Sequence, residues 1–425
     1  MPASQHLLVY LSLPPGEGLE GAFKCRNNLQ TINLPLHLYT LRPFMKKYIL
    51  VLLLAVSLTP AGAQPKFINK VLPKFVRKML FEKDSTRSAS FFLLPVLSSA
   101  PETGLELGAS TLYSFYTDTS RLTRVSNIFA YGTFTTEGQQ RVSLSTSYWL
   151  PQNRYHYTAA VSYINFPFNF YGIGDATRKV NEQRISEKRF KMSVNGEKRL
   201  GNYVYIGFVL GGYDYRYRID NTGKPFEADL SPQDRNGGAG FYAGPSVTFD
   251  NRNNNTYTTK GMHLTGYLNV MHGIFSDNTY KGSFLNLEYA QYFSLHKRLV
   301  LGFNLQEQSL LGSQSPFYLL PELGNDEMMR GYYNGRYRDK NMLAGQTELR
   351  YRINDRIGVV GFLGTGGVFK DSFSFSQLKP NYGGGLRYFF DTEKGLTMRV
   401  DYGFGQKPAG EKRQQGLYLS LGESF

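Results

Sequence analysis

Alternating charges near the C-terminus are the residues of this chain best suited to specific polar chemistry. Acidic and basic side chains lie two positions apart at 348, 350 and 352 of the stretch 343–352, and at 399 and 401 of the stretch 398–404. Every second side chain of a β-strand points to the same face, so each stretch predicts one charged face and one largely apolar face. Such faces favour ion pairs between neighbouring strands. The residues of this kind, with one from a third stretch, are Glu348, Arg350, Arg352, Arg387, Arg399 and Asp401.

Catalytic and metal-binding chemistry finds little support in the sequence. Four histidines lie beyond residue 63, with no pair at metal-ligand spacing and no serine or aspartate partner recognisable by spacing. The glycine-rich runs 364–367 and 383–385 lack the lysine and serine or threonine of a phosphate-binding loop. The sequence therefore predicts no enzyme, no metal site and no cofactor. The histidines are His156, His263, His272 and His296.

Strands must position these charged faces. The alternating pattern of the sequence predicts sixteen strands. Each is long enough for the ~9–11 residues that a tilted membrane-spanning strand needs. Short turns such as 200–201 alternate with long connections such as 311–341, although 116–123 and 250–259 are long for turns and leave the count open by two. The predicted strands are 90–98, 105–115, 124–135, 140–150, 155–166, 184–199, 202–219, 237–249, 260–272, 280–294, 297–310, 342–352, 357–369, 381–390, 396–405 and 416–425.

The end of the chain indicates the solvent around this sheet. The last predicted strand places Leu417, Leu419, Leu421 and Phe425 on one face and mostly small or polar residues on the other. A last strand of this kind is typical of bacterial outer-membrane barrels, in which a charge that faced lipid would cost about 2–4 kcal/mol. We therefore predict an all-β fold, a membrane-spanning antiparallel β-barrel of about sixteen strands in the bacterial outer membrane. Its charged faces would line a wet lumen with no dry central core.

The N-terminal region predicts a processed leader. A charged start, an apolar stretch and a small-x-small site before Gln64 form a secretory signal peptide at 45–63. Residues 1–44 are predicted to be a misassigned upstream extension. Residues 64–88 are predicted to form a short periplasmic amphipathic helix, which lies on the membrane surface or plugs the barrel. Residues 89–425 would form the barrel.

Composition agrees with a membrane barrel. The 425 residues include 31 tyrosines, 31 phenylalanines and 44 glycines, with a formal net charge of +15. A basic balance suits nucleic acid, but here the aromatic residues lie in alternating strands rather than in a basic cluster. We expect no nucleic-acid partner, and we expect the basic groups to line the lumen or to face anionic outer-membrane lipid.

Three segments together carry a resemblance to a known family. In chain order the segments are Asp250-Asn251-Arg252-Asn253-Asn254 with Lys260-Gly261, Met329-Arg330-Gly331-Tyr332, and Gly383-Gly384-Gly385-Leu386-Arg387-Tyr388 with Arg399-Val400-Asp401-Tyr402-Gly403. The first resembles a turn motif, the second the Arg-Gly-aromatic motif of the sixth external loop, and the third the last strands of one family. This family is the BamA/TamA superfamily of outer-membrane assembly and translocation barrels (the bacterial surface antigen family).

The resemblance implies a contact between the loop and the barrel wall. In the family this loop enters the lumen, where its arginine pairs with inward acids. That arginine is Arg330 here, with Glu348 and Asp401 as the available acids. Gly331 would permit close backbone approach, and Tyr332 would stack on the wall.

Two departures from the family pattern are visible in the sequence. Gly364 stands where the family usually has an acid, so Arg330 would depend on the two acids named above. Family members usually carry periplasmic POTRA domains of ~75–80 residues each, and only 64–88 lies between the predicted cleavage site and the first strand. The resemblance therefore implies a member that lacks POTRA domains.

Two functions follow as alternatives. The first is insertion or translocation of proteins, or of lipid, through a lateral seam between the first and last strands, with Pro95 and Phe425 at that seam. Pro95 cannot donate a ladder hydrogen bond. Unfolded clients and a separate periplasmic delivery partner would then be partners. The alternative is a passive or substrate-specific outer-membrane channel without insertase activity. The sequence identifies neither client nor solute.

Overall fold

A computed structural model describes most of the chain from residue 88 onward. The predicted signal peptide and amphipathic helix, and nearly all of 1–44, lie outside the described residues. The described ranges are 9–10, 88–100, 104–120, 122–219, 230–274, 280–312 and 315–425.

Within those ranges, sixteen long strands form one antiparallel sheet, and the predicted sixteen-strand all-β barrel is confirmed. Successive strands pair in register from β1 to β16. They are β1 Ser90–Ala100, β2 Gly104–Phe115, β3 Ser126–Thr135, β4 Gln140–Trp149, β5 Tyr155–Phe170, β6 Gln183–Leu200, β7 Val204–Ile219, β8 Gly237–Asp250, β9 Gly261–Ile274, β10 Lys281–His296, β11 Leu299–Leu311, β12 Asn341–Arg352, β13 Ile357–Phe369, β14 Lys379–Asp391, β15 Leu396–Phe404 and β16 Gln415–Leu421.

In the part of the chain that the structure describes, helical structure is confined to connections. The one α-helix of the described ranges, α1, has five residues, and no described helix is long and apolar enough to cross a membrane. Two two-residue strands, Glu322–Leu323 and Tyr337–Arg338, pair with each other within the connection between β11 and β12. The helical segments are α1 Pro232–Asn236 and the 3₁₀ turns Pro151–Asn153, Lys179–Asn181, Phe317–Leu319 and Phe375–Gln377.

The two ends of the sheet carry different connections. We call the end with 201–203 and 297–298 the turn end, and the end with 312–340 and 405–414 the loop end. The turns 116–125 and 251–260 are long, but each joins two paired strands, so the count of sixteen is unaffected.

Alternation along the strands separates an outer from an inner face, as the sequence predicts. In β12, Leu349 and Tyr351 are 46% and 44% exposed, whereas Glu348 and Arg350 are buried. Apolar residues on the outer face and charges on the inner face match a wall that has lipid outside.

The inner side of the sheet nevertheless contains a dry core, contrary to the prediction of a wet lumen. Near the loop end, inward rings of several strands pack on residues 317–320 of the long loop. Phe170 and Phe317 meet edge to face at 5.6 Å, and Tyr215 lies 5.1 Å from Tyr318. The sequence pattern concealed this core because the aromatic residues alternate on inner as well as outer faces. We call this cluster the aromatic plug; its main members are Phe170, Tyr213, Tyr215, Phe284, Phe317 and Tyr318.

The C-terminus also departs from the prediction. The last strand ends at Leu421, and Phe425 turns inward instead of sharing the outward face of Leu417 and Leu419. Its ring packs near Tyr292, with centroids 5.8 Å apart. Gly422, with a φ of 88°, lets the chain leave the strand direction at this point.

Candidate functional site

The loop 315–340 enters the lumen and brings its Arg-Gly-Tyr motif to the inner wall. Met329 and Gly331 have φ values of 59° and 107°, so the backbone turns sharply on both sides of Arg330. A Cβ on Gly331 would lie 2.7 Å from the carbonyl carbon of Phe404, closer than side chains ever pack. Glycine is required at this position both for its conformation and for its contact with β15.

Arg330 is completely buried and lies between two acids of the wall. Its Nη1 donates to Asp401 Oδ2 at 2.7 Å, and its Nη2 donates to Glu348. The structure thus places Arg330 against both of the acids that the resemblance implies. We call Arg330, Glu348 and Asp401 the ionic lock.

Further charges surround the ionic lock and balance it. Arg350 bonds Glu348 at 2.7 Å, and Arg387 bonds Asp401 and Glu423. Arg399 donates to Asp401, and it also donates to Asp326 of the loop at 2.7 Å. Four arginines therefore face four carboxylates in a buried region. Removal of one member would leave an unpaired buried charge, which is the costly case for such networks.

Neighbouring residues compensate for glycine at position 364. The guanidinium of Arg330 stacks on Phe362, with 3.6 Å between Cζ and the ring centroid. Asn381, paired with Gly364 in the register, donates from Nδ2 to the Arg330 carbonyl at 3.3 Å. A Cβ on Gly364 would lie 2.6 Å from the Asn381 side chain, so the missing side chain makes room for this amide.

The rest of the motif is held by backbone hydrogen bonds. Gly331 N donates to the hydroxyl of Tyr418 at 2.7 Å. Tyr332 donates to the carbonyl of Pro380 at 2.6 Å and accepts from Gln406 N at 2.9 Å. The loop is therefore bound by β14, by β16 and by the connection between β15 and β16, in addition to the contacts of its arginine.

Another arginine ties the loop to its neighbours at the loop end. Arg336 Nη2 donates to Glu411 Oε2 at 2.5 Å, and Glu411 also accepts from Lys179 N at 2.6 Å. Within the loop itself, Arg338 pairs with Glu322 at 3.0 Å. Three connections thus meet above the lumen.

The turn motif lies at the opposite end. Asp250, at the end of β8, pairs with Arg252 and with Arg124 from before β3. Thr256 donates to the Lys394 carbonyl, and Tyr257 meets Phe389 edge to face at 4.9 Å. The turn 251–260 therefore crosses toward the strands β14 and β15.

The two predicted seam residues lie in different surroundings. Pro95 is exposed on the outer face of β1, opposite Ala109 of β2. Phe425 instead lies in the lumen, where Arg350 Nη2 donates to its main-chain oxygen at 3.0 Å, so its assignment to the seam is wrong. Gly422, with a φ of 88°, lets the segment after β16 turn inward, where the guanidinium of Arg350 lies over the Phe425 ring.

The start of β1 meets the C-terminal strands through side chains at the turn end. Phe92 stacks on Phe390, with centroids 4.0 Å apart. Ser90 Oγ donates to Asp391 at 2.5 Å and accepts from Lys394 Nζ at 2.8 Å. The other edge of β16 is paired with Val9–Tyr10, with Val9 opposite Leu419.

Sequence reasoning missed several residues of the site. Asp326 and Glu423 complete the charge balance, and Tyr418 holds the loop backbone. Tyr418 could have been found from its inward position in β16, next to Ser420. Asp326 and Glu423 carry no strand pattern, because they lie in a loop and a tail.

Comparison with known proteins supports the fold. No family model and no curated protein matches the chain. Among solved structures, BamA from Haemophilus ducreyi lacking POTRA domains 1–3 is similar, with 14% identity and a TM-score of 0.50 over 80% of this chain and 70% of that chain. The fold is therefore that of an outer-membrane β-barrel of the BamA type.

Two further solved structures are similar in fold. CdiB from Acinetobacter baumannii has 12% identity and a TM-score of 0.50, and the match covers 80% of this chain and 60% of that chain. CdiB from Escherichia coli has 11% identity and a TM-score of 0.51, with 80% of this chain covering 63% of that chain.

Proposed function

We propose that this chain resides in the bacterial outer membrane and assists the insertion or translocation of proteins, or of lipid, through a lateral seam between β1 and β16. The observation that carries this proposal is the shortness of β16. It has seven residues, against the ~9–11 that a spanning strand needs. A short strand offers few ladder bonds, each contributing about 1 kcal/mol, so the edges of β16 separate from their neighbours more easily than those of the longer strands.

Two features of the seam strands support the same proposal. Pro95 removes one ladder donor from β1. The edge of β16 that does not face β15 pairs with Val9–Tyr10, an extended segment that is not one of the sixteen barrel strands. An edge that accepts such a segment is suited to template an incoming strand. Cleavage before Gln64, as the signal peptide predicts, would free this edge in the mature protein.

The filled lumen favours this proposal over a passive channel. The aromatic plug and the ionic lock occupy the interior on the side of β12 to β16 and near the loop end. A channel would require a continuous wet path past both. An insertase requires only that the wall opens while the loop stays in place.

A disulfide across the seam tests the proposal directly. Cysteines near 93–97 and 418–422 would join β1 to β16, in a chain whose only native cysteine, Cys25, lies in the predicted leader. A matched control joins positions 109 and 132, which already face each other on β2 and β3. We expect the seam disulfide, and not the control, to deplete particular outer-membrane proteins and to arrest growth where the protein is required.

Normal growth and a normal outer-membrane proteome with the seam closed would exclude lateral opening. Altered solute uptake with an unchanged proteome would instead support the channel. N-terminal sequencing of outer-membrane material should begin at Gln64, and detection of residues 1–44 in the mature protein would contradict the predicted cleavage.

A further inference from the structure

A second polar constellation lies on the inner wall at the turn end, formed by Ser147, His156 and Glu197 on the adjacent strands β4, β5 and β6. Ser147 Oγ is 2.9 Å from His156 Nε2. His156 Nδ1 is 3.0 Å from Glu197 Oε2. A hydroxyl, an imidazole and a carboxylate in this order, at these distances, have the geometry of a nucleophile, its base and the group that orients the base.

The strand register creates this geometry from residues far apart in the sequence. His156 is paired with Trp149 on one side and with Glu197 on the other, so Trp149, His156 and Glu197 share one row of the inner face. Ser147 lies two residues before Trp149 and therefore on the same face. Sequence spacing could not reveal the set, because each member comes from a different strand.

The acid of the set is fixed by contacts beyond it. Glu197 Oε1 accepts from Thr248 Oγ1 at 2.8 Å, across the intervening strand β7. Gly207 makes this reach possible, since a Cβ there would lie 2.6 Å from Glu197 Cγ. Glu197 is buried, with 4% of its surface exposed. Its position is thus defined by more than the histidine.

These contacts select the productive form of the imidazole. A carboxylate oxygen that accepts a hydrogen bond from His156 Nδ1 leaves the lone pair of Nε2 facing Ser147. Trp149 stacks on the His156 ring, with centroids 3.7 Å apart and planes at 9°. An indole face stabilises a cation above it, and therefore favours the imidazolium that forms when the serine gives up its proton.

A position for the developing oxyanion lies beside the serine. Asn127 of β3 is paired with Ser147 and shares its inward face. Directly opposed residues of antiparallel strands have Cβ atoms about 4.5–5.5 Å apart, within reach of a carbonyl bound at Ser147. Ser147, His156 and Asn127 are each partly exposed on the lumen side of the wall, so a small substrate can reach them.

We propose that Ser147, His156 and Glu197 form a hydrolytic site for small carboxylic esters inside the barrel wall. Ser147 Oγ attacks the ester carbonyl carbon while His156 Nε2 accepts the seryl proton, and the Asn127 amide donates to the oxyanion. Collapse of the tetrahedral intermediate breaks the bond to the alcohol, which leaves with the proton from His156. Water then attacks the acyl-serine carbonyl carbon and gives a proton to His156. The bond to Ser147 Oγ breaks, Oγ takes this proton back from His156, and the carboxylic acid leaves.

A fluorophosphonate probe applied to the purified, folded full-length protein tests the proposal. We expect covalent labelling at Ser147, its loss in Ser147→Ala, and its retention in Ser143→Ala. Ser143 lies on the same strand and the same face, four residues away, so it is a matched control. His156→Ala should lower labelling by about 10²–10⁴-fold, the usual contribution of a general base, and Glu197→Gln should lower it less.

Hydrolysis of p-nitrophenyl acetate provides a second readout. The rate should follow the labelling in all four variants. The heat-modifiable mobility of each folded barrel in electrophoresis shows which variants retain the fold. An unlabelled wild-type barrel, or equal labelling of wild type and folded Ser147→Ala, would overturn the proposal. Neither result would affect the lateral seam.

Discussion

The loop 315–340 is held in the lumen by two regions that differ in their chemistry. Its first part, at Phe317 and Tyr318, packs among rings in the aromatic plug. Its later part, at Arg330, is held by the ionic lock and its surrounding charges. Packing between rings is nonpolar and only weakly directional, whereas a buried guanidinium requires each donor to meet an acceptor. The plug therefore supplies stability, and the lock specifies where the loop sits.

Loss of the charge at the lock should produce the largest effect. Arg330→Ala leaves Glu348 and Asp401 buried with one cation fewer, which typically costs 3–5 kcal/mol in the free energy of unfolding. Chemical denaturation of the refolded barrel in detergent measures it, and conductance in planar bilayers should rise as the loop loosens. Arg216→Ala is the control, since the Arg216 side chain is 74% exposed in its pair with Asp214. Equal effects of the two substitutions would remove the distinction between lock and surface pair.

Backbone conformation at the lock can be separated from close packing. Gly331→Ala adds a Cβ at a φ of 107° and 2.7 Å from the backbone of β15. Gly410→Ala adds one at a φ of 75° with open space around it. We expect about 1 kcal/mol for Gly410→Ala from conformation alone, and roughly 2–3 kcal/mol more for Gly331→Ala because the loop must shift. A similar loss of unfolding free energy in both variants would show that the contact with β15 is not tight.

The aromatic plug should tolerate an apolar substitution that the lock would not. Phe317→Leu keeps a large nonpolar side chain but loses ring contacts worth about 0.5–1.5 kcal/mol per pair, so we expect a smaller loss of unfolding free energy than for Arg330→Ala. The exposed Phe375, 82% exposed, provides the control, and Phe375→Leu should leave the unfolding midpoint unchanged. A loss at Phe317 as large as that of Arg330→Ala would mean that the plug also depends on specific geometry.

Low pH should weaken the contact of Glu411 with Lys179 and Arg336, and this should be the smallest of the expected effects. Burial raises the pKa of Glu411, but the hydrogen bonds from Lys179 N and Arg336 outweigh burial, so this pKa lies below its ordinary value. The contact is therefore fully stabilising above the ordinary pKa of about 4.3, and it is lost as the pH falls through the lowered value. Limited proteolysis of the loops at decreasing pH measures it.

A matched variant identifies the group responsible. We expect faster cleavage below about pH 4 in the wild type and an absence of this pH dependence in Glu411→Gln. At higher pH this contact should contribute about 1 kcal/mol or less to the free energy of unfolding, as other ion pairs near solvent do. An acid response that persists in the variant would assign the effect to another carboxylate.

Alternation in the sequence determined most of the wall. Because side chains alternate along a strand, Glu348, Arg350, Arg399 and Asp401 lie on the inner face and Leu349 lies on the outer face. Only one pairing register of the strands keeps the charged side chains inside and the apolar side chains outside. The sixteen strands and the partners of Arg330 therefore follow from local pattern together with the motif of the loop.

Only the tertiary structure decided the contacts that join distant strands and loops. The inward turn of Phe425, the balancing charge of Asp326 and the aromatic plug depend on which surfaces meet inside the lumen. The approach of Ser147, His156 and Glu197 depends on register across three strands. Local pattern specifies the face on which a side chain lies, but the neighbour it meets there is selected by pairing of the whole sheet, where interactions between residues distant in sequence outweigh local preference.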